Sequence, residues 1–192
     1  MSTADLKPSA SSRLRSPAVI AGTVLLAAAV AAVQVSVVSS VLRCVLVLVL
    51  VPCALIDLEQ RIIPNRITGP AAVLALGLGL ALDAGGEPRR LLWAAIAGGF
   101  LLIASFANPS GMGMGDVKLL GVMGLFLGRP VIVGLLLALF GTVVAGIVIA
   151  RRHGVRAARK TGLPFGPYLA LGGLVAALVG DPLLHAYLSL HG

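Results

Sequence analysis

Residues 45–56 read VLVLVLVPCALI, an unbroken apolar run that ends directly at Asp57. Similar long apolar runs, separated by short polar breaks, make up most of the chain. Of the 192 residues, 58% are hydrophobic and 11% are charged, and the mean hydropathy is +1.04. A soluble domain is roughly a quarter charged, so the few charged side chains here could not cover this much apolar surface. The composition therefore predicts an all-α polytopic membrane protein.

Seven apolar runs divide the chain and predict a bundle of about seven transmembrane helices. We place these helices near residues 18–38, 41–56, 67–82, 91–107, 117–127, 131–150 and 166–188. The predicted organisation is a disordered cytoplasmic tail at 1–17, a first transmembrane helix within 18–40 and a membrane domain over 41–190. We expect the first two helices to turn at Ser39 and Ser40. We expect residues 57–69 to form a polar loop.

The first apolar run also has features of a secretory signal peptide. A basic start precedes its apolar middle, and small-residue triplets such as Ala29-Val30-Ala31 are typical of cleavage sites. The apolar sequence nevertheless continues with little interruption to Ile56. For that reason we favour a retained hairpin of two helices over a cleaved leader.

The basic residues are distributed unevenly between the predicted loops. With a cytoplasmic N-terminus and seven crossings, eleven of the 15 Lys and Arg residues fall on the cytoplasmic side. Loops rich in Lys and Arg stay in the cytoplasm, so this orientation is favoured. The fifth run, Val117–Leu127, would cover only about 17 Å of a hydrocarbon core about 30 Å thick, yet the charge bias requires it to cross. Asp57 and Asp116 then both lie at cytoplasmic ends of helices.

The net charge of +8 does not indicate nucleic-acid binding. Aromatic residues are only 4% of the chain, and no nucleic-acid-binding motif occurs. The basic residues separate apolar runs, which predicts roles in topology and in contact with anionic membrane lipid.

Cys44 and Cys53 would lie about 13 Å apart along one helix, too far for a disulfide. The sequence has no C-x-x-C pair and so no structural zinc signature. We predict no metal site and no cofactor.

The stretch at residues 111–120 reads GMGMGDVKLL, in which three glycines alternate with methionines before a carboxylate. Glycines let the backbone approach another chain closely, and the start of a helix stabilises a negative charge. Ionisable groups at the membrane are costly and usually mark function. Asp57 and Asp116 are therefore the candidate catalytic residues. Two carboxylates that share a site rarely ionise together, so one can act as an acid and the other as a base.

From these residues alone, three functions stay open. A membrane aspartyl protease would use the two carboxylates to activate water and to protonate the leaving amide nitrogen. A transporter would use Asp57 and Asp116 for ion coupling. A scaffold or assembly subunit would need neither carboxylate, and Asp116 would only cap a helix. The three histidines do not cluster in the sequence, and no H-E-x-x-H, G-x-S-x-G or P-loop motif occurs.

Three segments resemble the type IV prepilin peptidases, the bacterial branch of the GxGD intramembrane aspartyl proteases. Residues 113–119, GMGDVKL, are similar to the G-x-G-D-x-K-L signature of that family. Residues 56–65, IDLEQRIIPN, are similar to its first-aspartate segment, and residues 163–172, LPFGPYLALG, to the segment that opens its last helix. The segments occur in the family's order, and the resemblance covers about residues 41–188.

The resemblance implies an integral membrane aspartyl endopeptidase. It would cleave the leader peptide of prepilin or pseudopilin precursors at the cytoplasmic face of the bacterial cytoplasmic membrane. The two aspartates at 57 and 116 match the catalytic pair, with no metal or cofactor. Larger members carry a cytoplasmic domain between their first helices, so the resemblance implies a compact form that lacks the N-methylation domain. The sequence leaves a homodimer open.

Five further residues are candidates for binding the substrate or shaping the loops: Gly113, Gly115, Lys118, Pro64 and Asn65. The two glycines would shape the segment before Asp116, and the Pro-Asn pair would form a turn that positions Asp57. Three roles are open for Lys118: it orients Asp116, it contacts a phospholipid, or it simply extends to the membrane surface.

Overall fold

The computed structural model describes residues 16–33, 36–107, 113–153 and 164–189. Within these ranges it has seven α-helices and no β-strand: α1 Pro17–Val33, α2 Val37–Gln60, α3 Asn65–Asp83, α4 Glu87–Ala107, α5 Met114–Leu127, α6 Val131–His153 and α7 Gly166–Ser189. Five of them, α2, α3, α4, α6 and α7, are long and apolar enough to cross a membrane. The predicted all-helical, multi-pass membrane fold is confirmed. The tail at 1–15, residues 111–112 and the basic loop at 154–163 lie outside the described residues.

The helix boundaries differ from the predicted ones at two places. The Ser36 hydroxyl caps α2 by accepting a hydrogen bond from the Ser39 amide at 3.2 Å. Ser39 and Ser40 therefore lie in the first turn of α2, and the turn predicted there is wrong. The predicted polar loop at 57–69 is also wrong, because α2 continues to Gln60 and only residues 61–64 connect it to α3.

The short helix α5 lies at the centre of the bundle, where it contacts α2, α3, α4, α6 and α7. Ten of its 14 residues are buried, as expected for a helix that is apolar on every side. At 1.5 Å per residue it covers about 21 Å, less than the hydrocarbon thickness of about 30 Å. The surrounding helices shield its backbone from lipid, which makes a helix of this length tolerable inside a membrane protein.

Small residues let the helices approach one another closely. A Cβ added at Gly98 of α4 would lie 3.5 Å from the Gly121 Cα of α5, and one added at Gly124 would lie 2.8 Å from the Ala94 nitrogen. A Cβ at Gly134 of α6 would likewise press on the backbone of α7. Contacts of this kind drive helix association in membranes, where lipid provides no hydrophobic force between helices.

An ion pair between a buried arginine and a half-exposed aspartate joins α2 to α7 at the end of the bundle away from Asp57. Arg43 is 4% exposed, pairs with Asp181 and donates a hydrogen bond to the Ala177 carbonyl at 3.1 Å. Arg43 precedes Asp57 on the same helix, about 21 Å away along its axis. The two ends of α2 therefore carry opposite charges in separate environments.

Arg90 of α4 holds two carboxylates, Asp83 at 2.5 Å and Glu87 at 2.8 Å. Glu87 is 2% exposed, so Arg90 is the partner that offsets the cost of burying this carboxylate. We expect Arg90→Met to lower the free energy of unfolding by about 3 kcal/mol, because it leaves a buried carboxylate uncompensated. Adding Glu87→Gln should recover most of that loss.

Thermal unfolding in detergent micelles measures this effect, with the exposed Arg89→Met as the matched control. If the double variant were as unstable as Arg90→Met alone, Arg90 would act through the packing of its side chain and not through its charge.

Candidate active site

Asp57 lies in the last turn of α2 and is 5% exposed. The helix ends at Gln60, and Arg61 caps it: this residue adopts the left-handed conformation with φ 53° and donates its amide hydrogen to the Asp57 carbonyl at 2.9 Å. This geometry is a common helix cap, although it costs a non-glycine residue about 1–2 kcal/mol. The Arg61 side chain also lies close enough to interact electrostatically with the Asp57 carboxylate.

The Asp57 carboxylate lies against the N-terminus of α7. A Cβ added at Gly166, the first residue of α7, would lie 2.5 Å from Asp57 Oδ2, and the Gly166 amide interacts favourably with the carboxylate. Amide groups in the first turn of a helix carry partial positive charge, which offsets part of the cost of burying a carboxylate. The Oδ2 atom is buried, and among the residues that the structure describes no donor meets it at hydrogen-bond geometry. It can therefore accept a hydrogen bond from a water or a substrate.

Asp116 is the third residue of α5 and is 8% exposed. Its Oδ2 accepts a hydrogen bond from the Gly113 amide at 3.3 Å, and its own amide donates to the Gly113 carbonyl at 3.1 Å. The side chain therefore supplies one half of a capping box. Asp116 stabilises the start of α5 whatever else it does.

The structure brings the two aspartates together at one end of the bundle. Helix α5 packs against both α2 and α7, and the Asp116 carboxylate lies close enough to Asp57 for the two charges to interact. Each carboxylate is buried and lies at a helix N-terminus, Asp116 at its own and Asp57 at that of α7. Two neighbouring acids of this kind can exchange protons with a water between them.

The loop-shaping candidates connect α5 to the segment that follows Asp57. A Cβ at Gly115 would lie 2.9 Å from the Ile63 Cβ, so only a glycine allows this approach. The Lys118 ammonium donates to the Asn65 side-chain oxygen at 3.0 Å. Pro64 directly precedes α3 in an extended conformation. These contacts hold the connection after Asp57 against the first turn of α5.

Lys118 lies on the opposite side of α5 from Asp116. Successive residues of an α-helix are about 100° apart, so a residue two positions on lies about 200° around the axis. Its hydrogen bond to Asn65 is consistent with that direction. Of the roles open to Lys118, orienting Asp116 is therefore the least compatible with the geometry.

Two residues at this site had no assigned role in the sequence analysis. Arg61 follows Asp57 by four positions, and that spacing places two side chains on one helix face, so the signal was present. Gly166 belongs to a segment quoted above, but its contact with Asp57 is long-range and has no local signal. In the described part of the chain, no group of three or more His, Cys, Asp and Glu side chains could hold a metal ion.

Comparison with known proteins places these residues in a family. The type IV leader peptidase family matches residues 44–151, a range that includes both aspartates. The chain is 35% identical over 151 residues to the prepilin leader peptidase/N-methyltransferase of Aeromonas salmonicida, a match that covers 73% of this chain and 50% of that protein. No solved structure matches the chain significantly.

Proteins of the same printed name from two other organisms give similar matches. Identity is 34% over 149 residues for Stutzerimonas stutzeri, covering 72% of this chain and 50% of that protein. For Pseudomonas aeruginosa the identity is 31% over 150 residues, and the match covers 74% of this chain and 51% of that protein. The chain thus spans about half the length of the curated relatives it matches. On the family match and these identities together, the chain belongs to the type IV leader peptidase family.

Proposed function

We propose that this chain is an integral membrane aspartyl endopeptidase that removes the leader peptide from prepilin or pseudopilin precursors. The observation that carries the proposal is the pair of buried, interacting carboxylates at Asp57 and Asp116 in a chain of this family. The relatives are named prepilin leader peptidases. None of these findings favours the transporter that the sequence left open. The proposal concerns leader cleavage alone, and not the methyl transfer that the relatives' name includes.

The proposed reaction needs only the two carboxylates and water. The ionised carboxylate takes a proton from a water molecule, and the oxygen of that water bonds to the scissile carbonyl carbon. The protonated carboxylate gives its proton to the amide nitrogen as the carbon–nitrogen bond breaks. The products are a new carboxyl terminus and a new amino terminus. A coupled pair of acids titrates as a unit, so the proposal treats the two roles as belonging to the pair.

Access to this pair is from the end of the bundle. Gly113 and Met114, three and two positions before Asp116, are both exposed, and Met114 is 48% exposed. The α2–α3 connection on the other side begins with the exposed residues Arg61 and Ile62. These residues leave the carboxylates reachable by water and by a peptide that lies across the end of the helices. A buried site reached only through lipid would be a poor place for hydrolysis.

We infer that this end of the bundle faces the cytoplasm and that the membrane is the bacterial cytoplasmic membrane. The excess of Lys and Arg in the loops on the aspartate side supports this orientation. Alkaline phosphatase, active only outside the cytoplasm, should be inactive when fused after His153 and active when fused after Ala84. The reverse pattern would contradict the proposed orientation but would leave the proposed cleavage reaction unaffected.

Removing either carboxylate should abolish cleavage. We expect Asp57→Asn and Asp116→Asn each to lower the rate at least about 100-fold, the usual contribution of a positioned acid or base. The measurement is processing of a tagged prepilin co-expressed with the variant and followed on a gel. The exposed Glu59→Gln, two positions from Asp57, is the matched control and should cleave normally. Normal processing of the prepilin by either asparagine variant would contradict the two-aspartate mechanism.

A methyl group at position 166 should disturb the site without removing any catalytic atom. In Gly166→Ala the new Cβ would lie 2.5 Å from Asp57 Oδ2, so the carboxylate must move. We expect a loss of kcat of about tenfold or more, since small misplacements of reacting groups are costly. Gly77→Ala is the control, because a Cβ there meets nothing within 4 Å. Equal activity of the two variants would show that the position of Asp57 against α7 is unimportant for cleavage.

A further inference from the structure

An apolar groove of about 470 Å³ runs beside α5, between α3 and α4. Its floor is buried and includes Thr68, Val122 and Leu125, whereas Asn65 and Lys118 at its rim are exposed. The volume lies within the range of ligand sites, roughly 300–1,000 Å³. An apolar groove on a multi-pass membrane protein lies beside lipid, so an apolar molecule and not water will fill it.

The groove is separate from the two aspartates. Lys118, Val122 and Leu125 lie roughly 200°, 240° and 180° around the α5 axis from Asp116. All three therefore project from the opposite side of the helix. A peptide bond held at Asp116 does not lie in this groove, and its occupant is not the scissile segment of a substrate.

A single positive charge stands at the rim of the groove. The Lys118 ammonium has three donor hydrogens, and its hydrogen bond goes to the neutral Asn65 side chain at 3.0 Å. Among the residues that the structure describes, the ion pairs join other partners, and no carboxylate pairs with Lys118. The ammonium therefore has donors left for an anion, and it lies above an apolar floor. This arrangement is complementary to an anionic lipid, which has a negative head group and apolar acyl chains.

We propose that this groove binds one anionic phospholipid, with its phosphate at Lys118 and Asn65 and an acyl chain along the floor. Charge complementarity selects the head group, and burial of apolar surface holds the chain. Because α3 and α5 both line the groove, the bound lipid would bridge the helix that follows Asp57 and the helix that begins beside Asp116.

Two substitutions fill the groove without disturbing its walls. A Cβ at Gly121 or at Gly69 meets nothing within 4 Å, and both positions line the groove. Leucine at either position therefore occupies the space of the acyl chain. If one of the two variants does not fold, the other still tests the proposal. Gly99→Leu is the matched control, since a Cβ at 99 is equally free but lies outside the groove.

Lipid retention by the full chain, purified and delipidated in detergent, tests the proposal by native mass spectrometry. We expect phosphatidylglycerol to bind at least about fivefold more tightly than phosphatidylcholine. Gly121→Leu and Gly69→Leu should lose on the order of tenfold in phosphatidylglycerol binding, and Gly99→Leu nothing. Lys118→Gln should bind the two lipids equally, whereas Lys118→Arg should keep the preference.

Three results would overturn the proposal. The first is equal binding of the two lipids by the wild-type chain. The second is displacement of phosphatidylglycerol by glycerol 3-phosphate at equal concentration, which would indicate a free-phosphate site. The third is unchanged lipid binding in both leucine variants together with a raised KM for the precursor, which would assign the groove to the substrate.

Discussion

Burial of ten of the 14 residues of the short helix α5 is the constraint on which the rest of this structure depends. Fourteen residues cannot span a bilayer alone, so the longer helices must surround them. Gly124 permits that enclosure, because a Cβ there would press on the Ala94 backbone of α4. The enclosure in turn fixes where α5 begins, which brings Asp116 close to Asp57 in the last turn of α2. Asp57 itself rests against Gly166 at the start of α7.

Charge is distributed between the two ends of the bundle in different ways. At one end, Arg43 and Arg90 pair with Asp181, Asp83 and Glu87, so opposite charges neutralise one another. At the other end, the Asp57 and Asp116 carboxylates lie close enough for their charges to interact, with helix N-termini and Arg61 as their positive surroundings. Ionisable groups are expensive in a membrane protein unless they are paired or functional. Pairing explains the charges at the first end, and the proposed cleavage reaction would explain the carboxylates at the second.

Sequence reasoning worked where the signal was local. Hydropathy placed the seven helices that the structure describes to within about five residues at each end, and their composition indicated the membrane class. It failed at the polar ends, where Leu58, Glu59 and Gln60 were assigned to a loop although all three favour helix. It also placed a turn at Ser39 and Ser40, because serines suggest turns. The structure uses Ser36 as the cap and continues the helix through the other two.

The sequence by itself determined an all-helical membrane protein with one carboxylate at the end of an apolar run and another after a glycine-rich segment. Those properties depend on hydropathy and residue type, which neighbouring residues reveal. Only the tertiary structure decided that Asp57 lies against Gly166 and that Ile63 packs closely against Gly115. It also decided that the Lys118 side chain bonds to Asn65, on the side of α5 away from Asp116. These contacts join residues far apart in the chain. They depend on how side-chain volumes fit between helices, and a one-dimensional pattern does not encode that fit.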